Sequence, residues 1–200
     1  MIPTLLINGW RGCGKSRFIH QLLQRAAIRQ GEPGSATHWC VLRDAPLWGN
    51  ANSASASRVR SDVDAIDAVN ADQVAVEWVD VSGGCLCCSA LLPLRVVLVS
   101  VLRRLRQLPP ASRPVLLIET SGLADPQPLL RLLGEPGIAP SVSLRACVTL
   151  LAQEPLQTPT ITGHPMFLAQ CRAADWLMWS GAEGVTSEAL DRTLESVVSY

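Results

Sequence analysis

Apolar residues along this chain fall into two rhythms. Short, mostly apolar runs recur at Leu5-Leu6-Ile7, Trp39 to Leu42, Val74 to Val81, Val115 to Ile118, Leu144 to Leu151 and Trp176 to Trp179. Runs of that length, rich in β-branched and large apolar side chains, predict strands of a buried and mostly parallel sheet. Between them, apolar positions return every three or four residues: Phe18, Ile19, Leu22, Leu23, Ala26 and Ala27; then Leu92, Val96, Val99 and Leu105; then Met166 to Ala174 and Ser187 to Val198. That period predicts helices, each turning one stripe to the sheet. Gly31 and Pro33 stop the first of them. Ser89 caps the second, Pro93 fits its first turn, and Arg103, Arg104 and Arg106 suit the negative end of its dipole. The alternation of strand and helix predicts an α/β fold with helices on both faces of the sheet.

The first strand runs into Gly9-Trp10-Arg11-Gly12-Cys13-Gly14-Lys15-Ser16, and a helix follows. Gly, Gly, Lys and Ser stand at the spacing GxxxxGK[ST], in the strand, turn and helix order that a phosphate-binding loop requires. Its glycines let the chain curl so that amide N–H groups point inward, and the helix N-terminus adds partial positive charge. Lys15 then reaches the β- and γ-phosphates, and the Ser16 hydroxyl completes the coordination of Mg²⁺. Lys15 is also the single lysine among 17 basic residues, the rest being arginine. The candidate nucleotide-binding residues here are Gly9, Gly12, Cys13, Gly14, Lys15, Ser16 and Arg17.

The strand ending at Val81 delivers Gly83-Gly84-Cys85-Leu86-Cys87-Cys88-Ser89. Three of the seven cysteines fall within four residues of one another. Thiolates so placed converge on a soft or borderline cation, above all Zn²⁺ at about 2.3 Å, and three of them leave one position open. A redox-active thiol set and plain burial of small residues stay open as other readings, but packing gives no reason for the clustering.

Val115-Leu116-Leu117-Ile118 leads to Glu119-Thr120-Ser121-Gly122. A carboxylate at the tip of a buried parallel strand faces the phosphate loop across the carboxyl edge of the sheet. Glu119 is placed to hold Mg²⁺ or to orient the attacking water, and the Gly122 N–H to meet the γ-phosphate. With Lys15, these are the candidate catalytic residues.

Composition narrows the class. Apolar residues make up 48% of the 200 and charged residues 17%, which suits one α/β domain with a substantial core. Net charge is zero, so nothing marks a nucleic-acid or anionic-membrane partner. The longest apolar run, Val96 to Leu102, is too short to span a bilayer. An odd number of cysteines with no leader pattern points to the reducing cytoplasm. The stretch from Arg43 to Ser61 is rich in Ala, Ser, Asn and Gly and reads as a loop; Asp44 there is a candidate γ-phosphate sensor, a plain linker the blander account. Residues 154–165 hold three prolines and also read as loop. The three histidines, His20, His38 and His164, are scattered instead of spaced as ligands, and His38 stays open as a donor to the cysteine site.

With the phosphate loop, Gly-Gly-Cys-Leu-Cys-Cys and Glu-Thr-Ser-Gly-Leu-Ala-Asp-Pro in this order, the chain resembles the CobW-type metal-associated phosphate-loop GTPases. The resemblance implies a Rossmann-like GTPase domain, slow GTP hydrolysis with Mg²⁺, Zn²⁺ or a similar metal on Cys85, Cys87 and Cys88, and delivery of that metal to a client protein. Three features depart from the family pattern. Ser180-Gly181-Ala182-Glu183 stands where the family reads guanine with NKxD, leaving Ser180 and Glu183 as the base-binding candidates. Arg43-Asp44-Ala45-Pro46 stands where the family has an NEFG-like switch. The family's carboxyl-terminal domain does not follow, so a single domain over 1–200 is the expectation. Two other functions compete: a nucleotide- and metal-holding module that hardly turns over and acts through a partner, and a small-molecule kinase, for which no arginine-bearing lid is visible.

Overall fold

The computed structural model describes residues 1–29, 37–44, 59–60, 74–81 and 91–198. Seven strands form one sheet: β1 (Ile2–Gly9), β2 (Thr37–Asp44), β3 (Val59–Arg60), β4 (Val74–Val81), β5 (Arg113–Glu119), β6 (Val142–Leu151) and β7 (Trp176–Trp179). Their order is β3-β4-β2-β5-β1-β6-β7, with every pairing parallel except that of β3 with β4. Seven helices accompany them: α1 (Lys15–Arg29), α2 (Leu91–Arg106), α3 (Gln127–Leu133), α4 (Gln153–Leu156), α5 (Pro159–Thr162), α6 (Pro165–Arg172) and α7 (Ser187–Val198). This is the expected α/β phosphate-loop architecture.

The alternation of side chains along each strand divides the core into two layers. Leu5, Ile7, Trp39, Val41, Val115 and Leu117 pack against Phe18, Leu22 and Leu23 of α1 and Leu190 and Leu194 of α7. Leu6, Cys40, Leu42, Leu116 and Ile118 turn the other way, onto Leu94, Leu98 and Leu102 of α2 and Leu129 and Leu132 of α3. The central strand β1 continues through α1 to β2 on one side, whereas β5, beside it, continues to β6 on the other. Chain direction parts there, opening a crevice at the carboxyl ends of β1 and β5.

Helix α3 is not predicted from the sequence pattern, and β2 runs from Thr37 to Asp44, longer than the expected Trp39 to Leu42. Other details differ too. β6 starts at Val142, where it meets Ile2 of β1, rather than at Leu144. Residues 154–165 hold the single-turn helices α4 and α5, whose prolines sit where a missing N–H costs little. The Arg43 to Ser61 stretch contributes β3 at the sheet edge. Lastly, α2 buries Leu94, Leu98, Val101, Leu102 and Leu105, while Leu92 and Val96 are 76% and 71% exposed. From Leu91 to Leu102 nearly every residue is apolar, so two stripes fit the helical period equally and only the sheet selects one.

Candidate functional site

The phosphate loop joins β1 to α1 at that crevice. Gly9, Gly12 and Gly14 take φ of +137°, +82° and +90°, a region that side chains disfavour. The Cys13 N–H donates to the Trp10 carbonyl at 3.1 Å and closes the turn. Just beyond it, α1 begins at Lys15, and the amides of a first helical turn have no partner within the helix and are free for an anion. Lys15 folds back over the loop, its Nζ donating to the carbonyls of Gly9 at 2.9 Å and Trp10 at 3.3 Å. An ammonium has three donors, and the third faces only the Cys13 sulfur at 4.0 Å, a weak acceptor that a phosphate oxygen would displace.

Across the crevice stands Glu119, the last residue of β5 and 8% exposed. Its Oε1 accepts the Ser16 hydroxyl at 2.7 Å, which unites the two motifs through residues 103 positions apart. A hydroxyl and a carboxylate beside a phosphate cradle fit a hard cation such as Mg²⁺, which keeps several waters and takes few protein ligands. Gly122 also lies against the phosphate loop: a Cβ there would stand 2.5 Å from the Arg11 amide nitrogen and Cα. Only a residue without a side chain allows this approach.

The side chains of two candidate nucleotide-binding residues, Cys13 and Arg17, have partners within the protein. Cys13 is 1% exposed, and its sulfur lies beneath the loop, 4.0 Å from Lys15 Nζ. Burial pushes its thiol above the ordinary range despite the nearby ammonium, so it packs as a small neutral group. Arg17 sends its guanidinium to the Ala182 carbonyl at 2.6 Å, bracing the segment after β7, while its N–H lies in the first turn of α1. That segment starts at Ser180, which is 7% exposed and donates its N–H to the Leu151 carbonyl at 2.8 Å. Ser180 Oγ would be 2.9 Å from a Cβ on Gly14, so this segment and the phosphate loop abut. Glu183 is exposed at the surface of the turn, which is closed by paired hydrogen bonds between Gly181 and Gly184.

Three features of this region escaped the sequence reading. Gln21 on α1 donates to the Glu183 carbonyl at 2.9 Å and accepts the Val185 N–H at 3.2 Å, clasping the turn from both sides. Trp10 meets His164 and Phe167 edge-on at centroid distances of 5.1 and 6.2 Å. Gln170 of α6, fully buried, donates to the carbonyls of Gly122 at 3.3 Å and Ala124 at 3.0 Å. A glutamine in a helix carries no spacing signal; its partners exist only once the chain has folded.

The cysteine cluster Cys85, Cys87 and Cys88 lies outside the described residues, as do Ser89 and the loop following Asp44. Among the described residues, no group of three or more His, Cys, Asp or Glu is arranged to hold a metal. Cys40 and Cys147 are core residues whose thiols are pushed up to about 12, chiefly by burial and then by Glu77 and Asp175 respectively. His38 stands near the start of β2, its Nε2 3.5 Å from Glu77 Oε2, toward the sheet edge opposite the phosphate loop. The cysteine site to which His38 is a candidate donor lies outside the described residues. No described helix is long and apolar enough to cross a membrane.

Several known proteins are similar to this chain. The chain is 28% identical over 151 residues, 75% of its length, to zinc-regulated GTPase metalloprotein activator 1 of Saccharomyces cerevisiae. It is 29% identical over 189 residues, 94% of its length, to zinc chaperone YeiR of Escherichia coli K12. It spans 30% of the first relative and 49% of the second, about half or less of each. The crystal structure of the Zn(II)-bound YjiA GTPase from Escherichia coli superposes with a TM-score of 0.54 at 16% identity, covering 97% of this chain and 54% of that one, a likeness of fold. The CobW/HypB/UreG nucleotide-binding domain matches residues 56–199, and the chain belongs to that family.

Proposed function

We propose that this chain binds and slowly hydrolyses GTP, and that Cys85, Cys87 and Cys88 carry Zn²⁺ or a similar metal whose affinity follows the nucleotide state, so that the ion passes to a client protein. The observation that carries the reading is the 2.7 Å hydrogen bond from Ser16 to Glu119, which brings the two halves of a triphosphate site together. Lys15 and the first-turn amides of α1 neutralise the β- and γ-phosphates, Gly122 offers its N–H to the γ-phosphate, and Glu119 aligns the attacking water. Ser16 and Glu119 would hold Mg²⁺, which supplies charge neutralisation to the phosphates when bound. The metal half rests on position: β4, the strand that precedes the cysteine segment in sequence, ends at Val81, level with Asp44 at the edge where Arg43 pairs with Glu119. Both curated relatives are named for zinc.

A second reading, a module that holds nucleotide and metal with little turnover, draws on the base end. Gly181 and Glu183 replace the lysine and aspartate of the family's guanine-reading motif, and Glu183 is exposed.

The test is anaerobic purification with measurement of bound metal, followed by turnover and by competition of GTP against ATP with and without Zn²⁺. Bound Zn²⁺ that is lost in a Cys85→Ser, Cys87→Ser, Cys88→Ser variant, GTP preference and measurable turnover are expected. Turnover at background favours the second reading, and ATP preference overturns the GTPase assignment in favour of a kinase-like site.

A further inference from the structure

A buried polar chain runs beneath the phosphate edge. Thr120 Oγ1 donates to Asn8 Oδ1 at 2.9 Å, Asn8 Nδ2 to Thr149 Oγ1 at 3.4 Å, and Thr149 Oγ1 to the Gln170 carbonyl at 3.0 Å. Asn8, Thr120, Thr149 and Gln170 are each no more than 3% exposed. The chain ends where the Gln170 amide nitrogen reaches the carbonyls of Gly122 and Ala124, at 3.3 and 3.0 Å. Two carbonyl oxygens on one side of an amide demand its NH₂, which fixes the orientation of the side chain. Gln170 Oε1 has no hydrogen-bond partner among the described residues, so the side chain acts here only as a donor.

The loop that it holds is otherwise thinly attached. Thr120 N–H donates to the Ile7 carbonyl at 3.0 Å, and Ala124 N–H to the Ser121 carbonyl at 3.1 Å within the loop itself. Gly122 is therefore pressed between the Arg11 backbone on one side and the Gln170 amide on the other. The Gly122 carbonyl shares its planar peptide unit with the Leu123 N–H, so releasing it re-aims that N–H directly and carries the Gly122 N–H along by displacing the Gly122 Cα.

We propose that Gln170 is a positioning residue for γ-phosphate recognition: by holding the Gly122 and Ala124 carbonyls it sets the Gly122 N–H where a γ-phosphate arrives, and so determines the preference for GTP over GDP. The proposal rests on the reading above that this site takes GTP. Gln170 touches no nucleotide; it acts through the loop. GDP has no γ-phosphate to meet this N–H, so its affinity does not depend on Gln170.

The experiment measures GTP and GDP affinities and single-turnover hydrolysis for the wild type, Gln170→Glu and Gln170→Met. In Gln170→Glu an ionised carboxylate faces two carbonyls. The expected result at about pH 8 is a loss of about tenfold in GTP affinity with GDP affinity held, the equivalent of one well-placed hydrogen bond, and a matching fall in turnover. On lowering the pH to about 6 the buried acid takes up a proton and regains one donor, so the preference recovers in part. Gln170→Met, which keeps the length and loses both donors, shows the loss without the recovery and carries the test should the charged variant not fold. A wild-type chain that neither binds nor turns over GTP overturns the GTPase reading and this proposal with it, and one that hydrolyses GTP yet binds GTP and GDP equally overturns this proposal alone. Given a wild-type preference, an unchanged ratio in both variants, or equal losses for GTP and GDP, overturns the role of Gln170 alone.

Discussion

The two ends of the crevice are built on different terms. At the phosphate-loop end, backbone supplies most of the candidate contacts: glycines at positive φ, the first turn of α1 and a single lysine whose Nζ is already seated on the Gly9 and Trp10 carbonyls. At the base end, a turn from Ser180 to Val185 carries one exposed acid, Glu183, and owes its place to α1, through Arg17 on Ala182 and Gln21 on Glu183 and Val185. The first end tolerates almost no change in residue type. The second, where the family's lysine and aspartate are replaced, is held by side chains of the helix and not by its own.

The largest effect is expected at the phosphate end. Lys15→Ala removes the one ammonium aimed at the phosphates and should weaken GTP and GDP binding by about 100-fold or more, read by fluorescence titration of a labelled nucleotide. Glu119→Gln keeps the shape and a hydrogen bond to Ser16 but loses the charge. Turnover should fall by about 100-fold with nucleotide affinity nearly unchanged at saturating Mg²⁺, and an equal loss in both would reduce Glu119 to a binding residue.

This asymmetry also governs how much of the molecule could be read in advance. GxxxxGK[ST] and the acid after a greasy strand are legible because phosphate chemistry dictates residue type and spacing together, and Ser16 and Glu119 do meet. The strands were legible because a sheet buried on both faces leaves long apolar runs. What stayed hidden was whatever depends on the folded partner. The buried stripe of α2 was one such case, since Leu92 and Val96 looked as suitable as Leu94 and Leu98. Arg17 was another: the spacing put it beside the phosphate loop, yet its reach of 2.6 Å is to a carbonyl 165 residues further along. Gln21 and Gln170 fall under the same head, as amides whose partners are backbone atoms of distant loops.

Smaller changes probe the seam between the two ends. Gly122→Ala would set a methyl 2.5 Å from the Arg11 backbone, so the loop must withdraw. GTP affinity should fall about tenfold more than GDP affinity, and equal losses would mean that the loop only supports the fold. At the base end, Gln21→Ala leaves the Glu183 carbonyl and Val185 N–H without their clasp. It should reduce discrimination of GTP against ATP by about fivefold while leaving single-turnover hydrolysis of bound GTP alone.

The smallest effect on nucleotide belongs to Glu77→Gln, toward the far edge of the sheet. Burial tends to raise the Glu77 pKa, but hydrogen bonding to His38 and the charge of Arg104 outweigh it and hold the carboxyl below its ordinary range. A group depressed in the folded state stabilises it above its unfolded pKa and loses that contribution as pH falls through the folded value. The variant should melt earlier than the wild type at neutral pH, the gap closing in acid, with both nucleotide affinities unmoved.

The central claim is that triphosphate at the crevice and metal on the cysteine segment are one system. The most direct test is the Zn²⁺ affinity of the wild-type chain, titrated anaerobically against a competing chelator, with a non-hydrolysable GTP analogue and without nucleotide, alongside Lys15→Ala. The account predicts that the analogue shifts Zn²⁺ affinity in the wild type and not in Lys15→Ala, and by linkage that Zn²⁺ shifts nucleotide affinity by the same factor. Equal Zn²⁺ affinity with and without the analogue would contradict it.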